Sequence, residues 1–263
     1  MHIIFGTGGE TQGGSLWVIS LSDLRTGRME NARTIYTDCC KGIMVPPVLV
    51  DLTGDKTEDI VMAMFNSTVI AFNGFTYEQL WKWSSPGSET YSTPAIGRYN
   101  TDDVPDFFVT YQVGPGFPVY YYTRGQVLDG RTGQPLLVKP LDMLVGTQSS
   151  PLTLSTDGLS DLFVYWHSSC VKHNTTTNTT STPGTISSTK STSNQEFDPN
   201  QLVFKVAPGT NVHETSRADF CGLRFNASLF TQLVALSPNN STILYDSRMS
   251  YESERTNKVR QLC

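Results

Sequence analysis

The sequence lacks the basic charge and the long apolar runs that would direct it to nucleic acid or into a membrane. Only 16% of its 263 residues are charged, and the formal net charge at pH 7 is -5. This balance argues against binding to nucleic acid or to anionic lipid, both of which attract basic surfaces. No stretch approaches the roughly 20 apolar residues that a bilayer-spanning helix needs. We therefore expect no nucleic-acid partner and no membrane-spanning segment within these residues.

The sequence also lacks the motifs of common catalytic and metal centres. It has no C-x-x-C pair, no H-E-x-x-H and no G-x-S-x-G, and the glycine-rich residues 6–14 lack the Lys-Ser/Thr of a phosphate-binding loop. The cysteines are Cys39, Cys40, Cys170, Cys221 and Cys263, and the histidines are His2, His167, His173 and His213. Neither set has the spacing of zinc ligands. We predict that the chain is not an enzyme and holds no zinc.

What the sequence does contain is an internal repeat. Residues 47–59 recur at 94–106 and, in shortened form, at 151–161, and each copy begins with Pro and ends with Asp. The closing residues Asp59, Asp106 and Asp161 lie 47 and 55 residues apart. A four-stranded propeller blade has about 40–50 residues, so this period favours a propeller.

The segments around the repeats predict β-strands. Each closing aspartate is followed by an apolar run, at 60–65, 107–111 and 162–166, which is too short for a helix and rich in β-forming residues. We predict an all-β fold, a partial β-propeller of about four to five blades, in which residues 1–263 form one domain. Residues 171–200 are predicted to be a loop insertion rich in Ser, Thr and Asn. Closed propellers have about four to eight blades, and we expect an open arc from which blades are missing.

The first repeat also predicts a calcium site. Its loop places oxygen-bearing residues at alternate positions, which suits Ca²⁺ because this cation takes six to eight oxygen ligands in flexible geometry. The predicted ligands are Asp51, Thr53, Asp55, Thr57 and Asp59. The alternative is that these residues close the turn through side-chain to backbone hydrogen bonds. The second repeat has Arg98 in place of the first carboxylate, which weakens a second site.

Several features indicate an extracellular or lumenal location. Predicted N-glycosylation sites are Asn66, Asn174, Asn178, Asn226 and Asn240. Residues 174–195 are nearly all Ser, Thr and Asn, as in an O-glycosylated stalk. Disulfides are then expected, and Cys170 and Cys221 form one plausible pair. Cys39 and Cys40 either bond to each other or, in the favoured interpretation, pair elsewhere, and an odd count of cysteines suggests a fragment.

A proline- and glycine-rich segment ends in three consecutive tyrosines, Tyr120, Tyr121 and Tyr122. At least one of these rings is expected to face outward. Since Tyr is enriched at protein interfaces, we predict that these residues contact a protein partner.

The repeat resembles the FG-GAP repeat of integrin α-chain propellers. Longer stretches resemble the "family with sequence similarity 234", also called integrin FG-GAP repeat-containing proteins. These stretches are residues 5–11, 41–49, 102–109, 116–122, 149–154 and 218–225. The resemblance implies a single-pass membrane protein with a large non-cytoplasmic propeller and no established enzymatic activity. It also implies that a cytoplasmic tail and transmembrane helix are missing from this chain, and that it begins at an internal Met.

The favoured function is thus a non-catalytic, glycosylated ectodomain that binds a protein partner. The alternative is a quinoprotein-like dehydrogenase, because residues 127–136 resemble a strand-turn-strand of those propellers and Cys39-Cys40 would lie at the cofactor. A purely structural secreted domain, without a membrane anchor, is a third possibility.

Overall fold

The computed structural model describes residues 1–116, 120–143, 149–155, 160–172, 206–209, 211 and 220–248. In these residues the chain is all-β, with four antiparallel sheets, none of them closed, and two short helices. The predicted all-β class is therefore confirmed. No helix in these ranges is both long and apolar enough to cross a membrane.

The first sheet has three strands in the order of the chain. They are β1 (His2–Gly6), β2 (Gly14–Ser20) and β3 (Arg33–Asp38). Helix α1 (Leu21–Thr26) lies between β2 and β3 and is capped at its start by the Ser20 side chain, which accepts a hydrogen bond from the Asp23 amide. It ends at Gly27, which has the left-handed conformation that glycine adopts readily.

The second sheet has four strands, again in chain order. They are β4 (Val48–Val50), β5 (Asp59–Met64), β6 (Thr68–Phe72) and β7 (Gln79–Ser84). Every residue of β5 and β6 is buried. Both strands are apolar on their two faces, because the second sheet is covered by the first sheet on one side and by the third on the other.

The third sheet has five strands around a long central strand. They are β8 (Ser88–Glu89), β9 (Ala95–Gly97), β10 (Asp106–Val113), β11 (Tyr122–Leu128) and β12 (Leu141–Met143). Both β8 and β9 pair with β10, β9 near its start and β8 near its end. The apolar run after Asp106 is therefore the buried centre of this sheet.

The fourth sheet contains the two longest strands of the described chain. Its members are β13 (Leu152–Ser155), β14 (Asp161–Lys172), β15 (Ala227–Leu236) and β16 (Ser241–Asp246). Helix α2 (Phe220–Phe225) precedes β15 and is tied to β14 by the Cys170–Cys221 disulfide, which confirms the predicted pair. Strand β14 includes residues 171 and 172, so the predicted insertion begins two residues too early, and 173–200 lie outside the described residues.

The sheets pack on one another in the order of the chain. One buried apolar cluster joins the first three sheets, and a second joins the third sheet to the fourth. On the fourth sheet the cross-strand partners of Tyr165 and Phe163 face this second cluster. Several large apolar residues of the same sheet are exposed instead, namely Leu152, Leu154, Trp166, Leu229 and Tyr245.

Candidate functional site

The closing aspartate of the first repeat holds two loops together. Asp59 is fully buried at the start of β5. Its Oδ2 accepts hydrogen bonds from the backbone N–H groups of Leu52 (2.8 Å) and Thr53 (3.1 Å), and its Oδ1 accepts one from Gly74 (2.8 Å). Three donors satisfy a carboxylate that would otherwise be costly to bury. The residue thus joins the loop before β5 to the turn after β6.

The second repeat has the same arrangement. Asp106 Oδ2 accepts from the backbone N–H groups of Tyr99 (3.0 Å) and Asn100 (2.9 Å), and Oδ1 accepts from Gly130 (3.1 Å). Burial raises the pKa of Asp106, while hydrogen bonds from Asn100 and Gly130 act in the opposite direction. A side chain at Gly130 would collide with the carbonyl oxygen of Pro105, as one at Gly74 would with that of Glu58 in the first repeat. The two repeats are therefore the same local structure.

The third closing aspartate has a different contact. Asp161 Oδ2 accepts a hydrogen bond from the backbone N–H of Arg98 (2.7 Å), and the Asp161 N–H donates to the Arg98 carbonyl (3.0 Å). It thereby ties the fourth sheet to the third. Asp157, which belongs to the same shortened repeat, lies outside the described residues.

The predicted calcium ligands mostly accept hydrogen bonds from their own loop. Asp51 accepts from the backbone N–H groups of Gly54 (2.7 Å) and Lys56 (2.8 Å), and Asp55 accepts from Thr57 (2.7 Å). Desolvation raises the pKa of Asp51. The hydrogen bonds from the backbone N–H groups of Lys56 and Gly54 outweigh this effect, so the pKa is lower than the usual value of an aspartate. Within the described ranges, no three His, Cys, Asp or Glu side chains are grouped so that they would hold a metal. These contacts match the turn-closing alternative, and calcium binding stays a prediction.

The predicted glycosylation sites differ in access. Asn226 and Asn240 are exposed at the start of β15 and in the turn before β16. Asn66 is half-buried, and its Nδ2 donates a hydrogen bond to Asp38 Oδ2 (2.6 Å). Asn174 and Asn178 lie outside the described residues.

The three tyrosines are not displayed together. Tyr120 and Tyr122 are buried, with 6% and 5% of their surface exposed, and only Tyr121 is half-buried. The guanidinium of Arg224 lies 5.7 Å from the Tyr121 ring centre and donates a hydrogen bond to the Tyr121 carbonyl oxygen (2.9 Å). The expectation of an outward ring therefore fits Tyr121 alone, because the other two side chains are buried.

A polar cluster at the ends of the strands was not predicted. We call it the Glu89 cluster, and its members are Glu10, Lys41, Glu89, Tyr91 and Tyr120. The Glu89 carboxylate accepts from Lys41 Nζ (2.7 Å) and the Tyr120 hydroxyl (2.8 Å), and Tyr91 donates to Glu10. Burial, reinforced by the hydrogen bond to Glu89, raises the pKa of Tyr120. Burial and Glu10 raise the pKa of Tyr91.

The Glu89 cluster connects loops from different sheets. Lys41 follows β3 of the first sheet, and its Nζ also lies 5.0 Å from the ring centre of Phe65, just after β5. Glu89 belongs to β8 of the third sheet. Because β5 begins at Asp59 and ends just before Phe65, the Glu89 cluster and the acidic loop lie at opposite ends of that strand. Strand β8 has only two residues, which is too short for an alternation of apolar and polar side chains. The sequence therefore provides no signal for this strand or for the cluster.

A disulfide between Cys39 and Cys40 lies beside the Glu89 cluster. The favoured expectation that each of these sulfurs pairs elsewhere is therefore wrong. Both cysteines are exposed in the turn after β3. Asp38 Oδ1 holds this turn by accepting from the backbone N–H groups of Cys40 (2.9 Å) and Lys41 (2.8 Å). Together the disulfide and the Glu89 cluster form the candidate functional site.

No protein-family model matches the chain, and no curated protein matches it. Its function is therefore inferred from its own residues.

Proposed function

We propose that the four sheets are successive blades of an FG-GAP-type β-propeller, the ectodomain of a single-pass membrane glycoprotein that acts as a non-catalytic interaction platform. The observation that carries the proposal is the matching set of hydrogen bonds at Asp59 and Asp106. Each carboxylate takes two N–H groups from the loop before its strand and one from a glycine after the next strand. A recurring supersecondary unit is what a propeller requires.

The turns after β6 and β11 support the same relation between the two sheets. Asn73 Oδ1 accepts from the N–H groups of Phe75 and Thr76, and Asp129 Oδ1 accepts from that of Thr132. Side-chain caps of this kind fix tight turns. The second and third sheets thus each have a closing aspartate with the same hydrogen bonds, and each has a turn that is capped by a side-chain oxygen.

The exposed face of the fourth sheet is where a further blade would pack. Leu154 and Leu229 are 45% and 49% exposed, whereas every residue of β5 and β6 in the second sheet is buried. Each sheet in the series covers its neighbour, so a further sheet on this face would continue the same stacking. Exposed apolar patches of this kind mark interaction surfaces.

Two features favour the outside of the cell. Cys170 and Cys221 are bridged, and disulfides form and persist in oxidising compartments. The Asn226 and Asn240 sequons are accessible on the fourth sheet.

For the partner contact, Tyr121 is the residue of the predicted tyrosine set that retains accessible surface.

The test is to express the longest natural chain that contains these residues in cultured cells. We expect glycosidase-sensitive mass at Asn226 and Asn240 and digestion by protease added outside intact cells. Asn226→Gln and Asn240→Gln provide the matched control, because each removes one glycan and leaves the chain otherwise unchanged. A chain without glycans, protected from external protease, would contradict the proposal.

The quinoprotein-like dehydrogenase remains a second candidate, and the specific observation in its favour is the Cys39–Cys40 disulfide. Its test is addition of pyrroloquinoline quinone and Ca²⁺ to the purified protein. A new visible absorption band that is lost in the Cys39→Ser, Cys40→Ser double variant would support this candidate. The absence of any band would exclude it.

A further inference from the structure

The two disulfides of the described chain differ in their accessibility. Cys39 and Cys40 are both exposed in a loop, whereas Cys221 is fully buried and Cys170 is half-buried within a strand. A disulfide is opened by attack of a thiolate on one of its sulfurs, which requires access. A reductant in solution therefore reaches Cys39–Cys40 before it reaches Cys170–Cys221.

The exposed disulfide lies in a turn that the rest of the molecule holds on several sides. The Asp38 side chain caps the N–H groups of Cys40 and Lys41, and its other oxygen accepts from Asn66 of the second sheet. A side chain at Gly13 would lie 2.5 Å from the carbonyl oxygen of Cys39, so the glycine-rich loop packs directly on this turn. The bond between adjacent cysteines restricts the backbone that leads into Lys41.

Lys41 connects this turn to the third sheet. Its Nζ forms an ion pair with Glu89 (2.7 Å), whose side chain is only 10% exposed. The distance between Nζ and the Glu89 carboxylate depends in part on where the backbone of Lys41 lies relative to β8. Opening the adjacent disulfide gives residues 38–41 more backbone freedom, which weakens a contact that depends on their fixed geometry.

We propose that Cys39–Cys40 is a redox site, opened selectively by a dithiol reductant, and that its opening releases Lys41 from Glu89. In the reaction a thiolate of the reductant attacks one cysteine sulfur, and the other cysteine leaves as a thiolate and takes up a proton. The second thiol of the reductant then attacks the mixed disulfide. Two electrons and two protons pass from the dithiol to the two cysteines, and the reductant becomes a disulfide.

The adjacency of the two cysteines selects a dithiol as the reductant. After attack by a monothiol, the freed thiolate of the neighbouring residue is positioned to expel it and to restore the original bond. A dithiol resolves the mixed disulfide within its own molecule, and an intramolecular step has a large advantage of effective concentration. This inference does not depend on the number of blades or on the membrane anchor.

The experiment titrates the full chain with dithiothreitol under native conditions, blocks free thiols with iodoacetamide and maps the peptides by mass spectrometry. We expect alkylation of Cys39 and Cys40 at concentrations that leave Cys170 and Cys221 bridged. Glutathione at the same thiol concentration should give much less opening. Earlier reduction of Cys170–Cys221, or free Cys39 and Cys40 in the untreated protein, would overturn the proposal.

The coupling to Lys41 is measured on the same samples with an amine-reactive ester. Opening the disulfide should raise the acylation rate of Lys41 severalfold, while that of Lys56, which is exposed in the acidic loop at the other end of β5, should not change. The Cys39→Ser, Cys40→Ser variant should have a reactive Lys41 with or without dithiothreitol. An unchanged Lys41 rate in wild-type protein whose opening the mass map has verified would refute the coupling.

Discussion

At the scale of single residues, the buried aspartates of the repeats stabilise the fold through hydrogen bonds to the backbone. Asp59 and Asp106 each satisfy three N–H groups, which no other side chain of that size can do as well, since an ionised carboxylate only accepts. The residues that the sequence offers as calcium ligands therefore have unequal roles. Asp59 is a buried structural residue, whereas Asp51 and Asp55 belong to the accessible part of the loop.

The first prediction concerns Asp59→Ala. Each buried N–H left without an acceptor costs about 1–3 kcal/mol, so the variant should lower the free energy of unfolding by about 3 kcal/mol or more. Asp55→Ala is the matched control, since it removes one exposed contact and should cost less than about 1 kcal/mol. Urea unfolding of both variants in the presence of chelator measures the difference. Equal losses would show that the Asp59 hydrogen bonds do not stabilise the fold.

The second prediction concerns calcium at the same loop. If the ion binds, at a hundredfold excess over its Kd it should stabilise the folded chain by about 2.7 kcal/mol and raise Tm. Asp51→Asn should remove this effect, because it takes away a carboxylate that would bind the ion. The variant keeps Asp59, so the hydrogen bonds of the buried aspartate are retained. Thermal melting with Ca²⁺ and with chelator is the measurement. Superimposable melting curves of the wild-type protein would exclude the site.

At the scale of elements, the strands that follow the closing aspartates were predictable, whereas their partners were not. Strands β5, β10 and β14 contain the apolar runs. A short, wholly apolar segment of β-forming residues is typical of a buried strand, which is why these strands could be predicted. The pairing of β8 with β10, and hence the position of Glu89, depends on a contact between segments that only the packed sheets bring together. The extension of β14 to Lys172 likewise depends on its partner β15.

The third prediction concerns helix α1 and its pH dependence. Hydrogen bonds from Ser20, Asn31 and Arg28 lower the pKa of Asp23 from 3.8 to about 2. Because the pKa is depressed in the folded state, the stabilisation is complete above pH 4 and is lost as the pH falls toward 2. Asp23→Asn should therefore be less stable than wild type at pH 7, and the difference should shrink at pH 2–3. Thermal melts across this range measure it, and a pH-independent difference would contradict the assignment.

The fourth prediction concerns the contact between the second and third sheets. Trp81 in β7 is buried, and its Nε1 donates a hydrogen bond to the carbonyl oxygen of Gly130 (2.8 Å). Trp81→Phe keeps an aromatic ring but leaves this oxygen without its donor, which should cost about 1–3 kcal/mol. Trp166→Phe on the exposed sheet face should change stability by no more than about 0.5 kcal/mol. Chemical denaturation measures the free energy of unfolding of both variants. Similar losses in the two variants would show that the hydrogen bond from Trp81 to Gly130 does not stabilise the contact between the sheets.

At the scale of the whole molecule, the described sheets form a series whose last member is left partly uncovered. Two apolar clusters join the four sheets in chain order, and the fourth sheet presents Leu152, Leu154 and Leu229 to solvent. Exposed apolar side chains grouped on one face of a sheet mark an interaction surface. Because the described sheets pack on one another, this uncovered face is where a packing partner would bind.

The fifth prediction tests this expectation with cysteine labelling. Leu229→Cys should react with a maleimide in this chain at nearly the rate of Phe75→Cys, since Phe75 is 78% exposed in the turn after β6. In a longer natural chain that carries further repeats, the rate at position 229 should fall severalfold while the rate at position 75 stays the same, because a packed sheet excludes the reagent. Peptide mapping separates both from the native cysteines. An undiminished rate at 229 in a folded longer chain would mean that no blade packs on this face, and the stacking of sheets would end with the fourth.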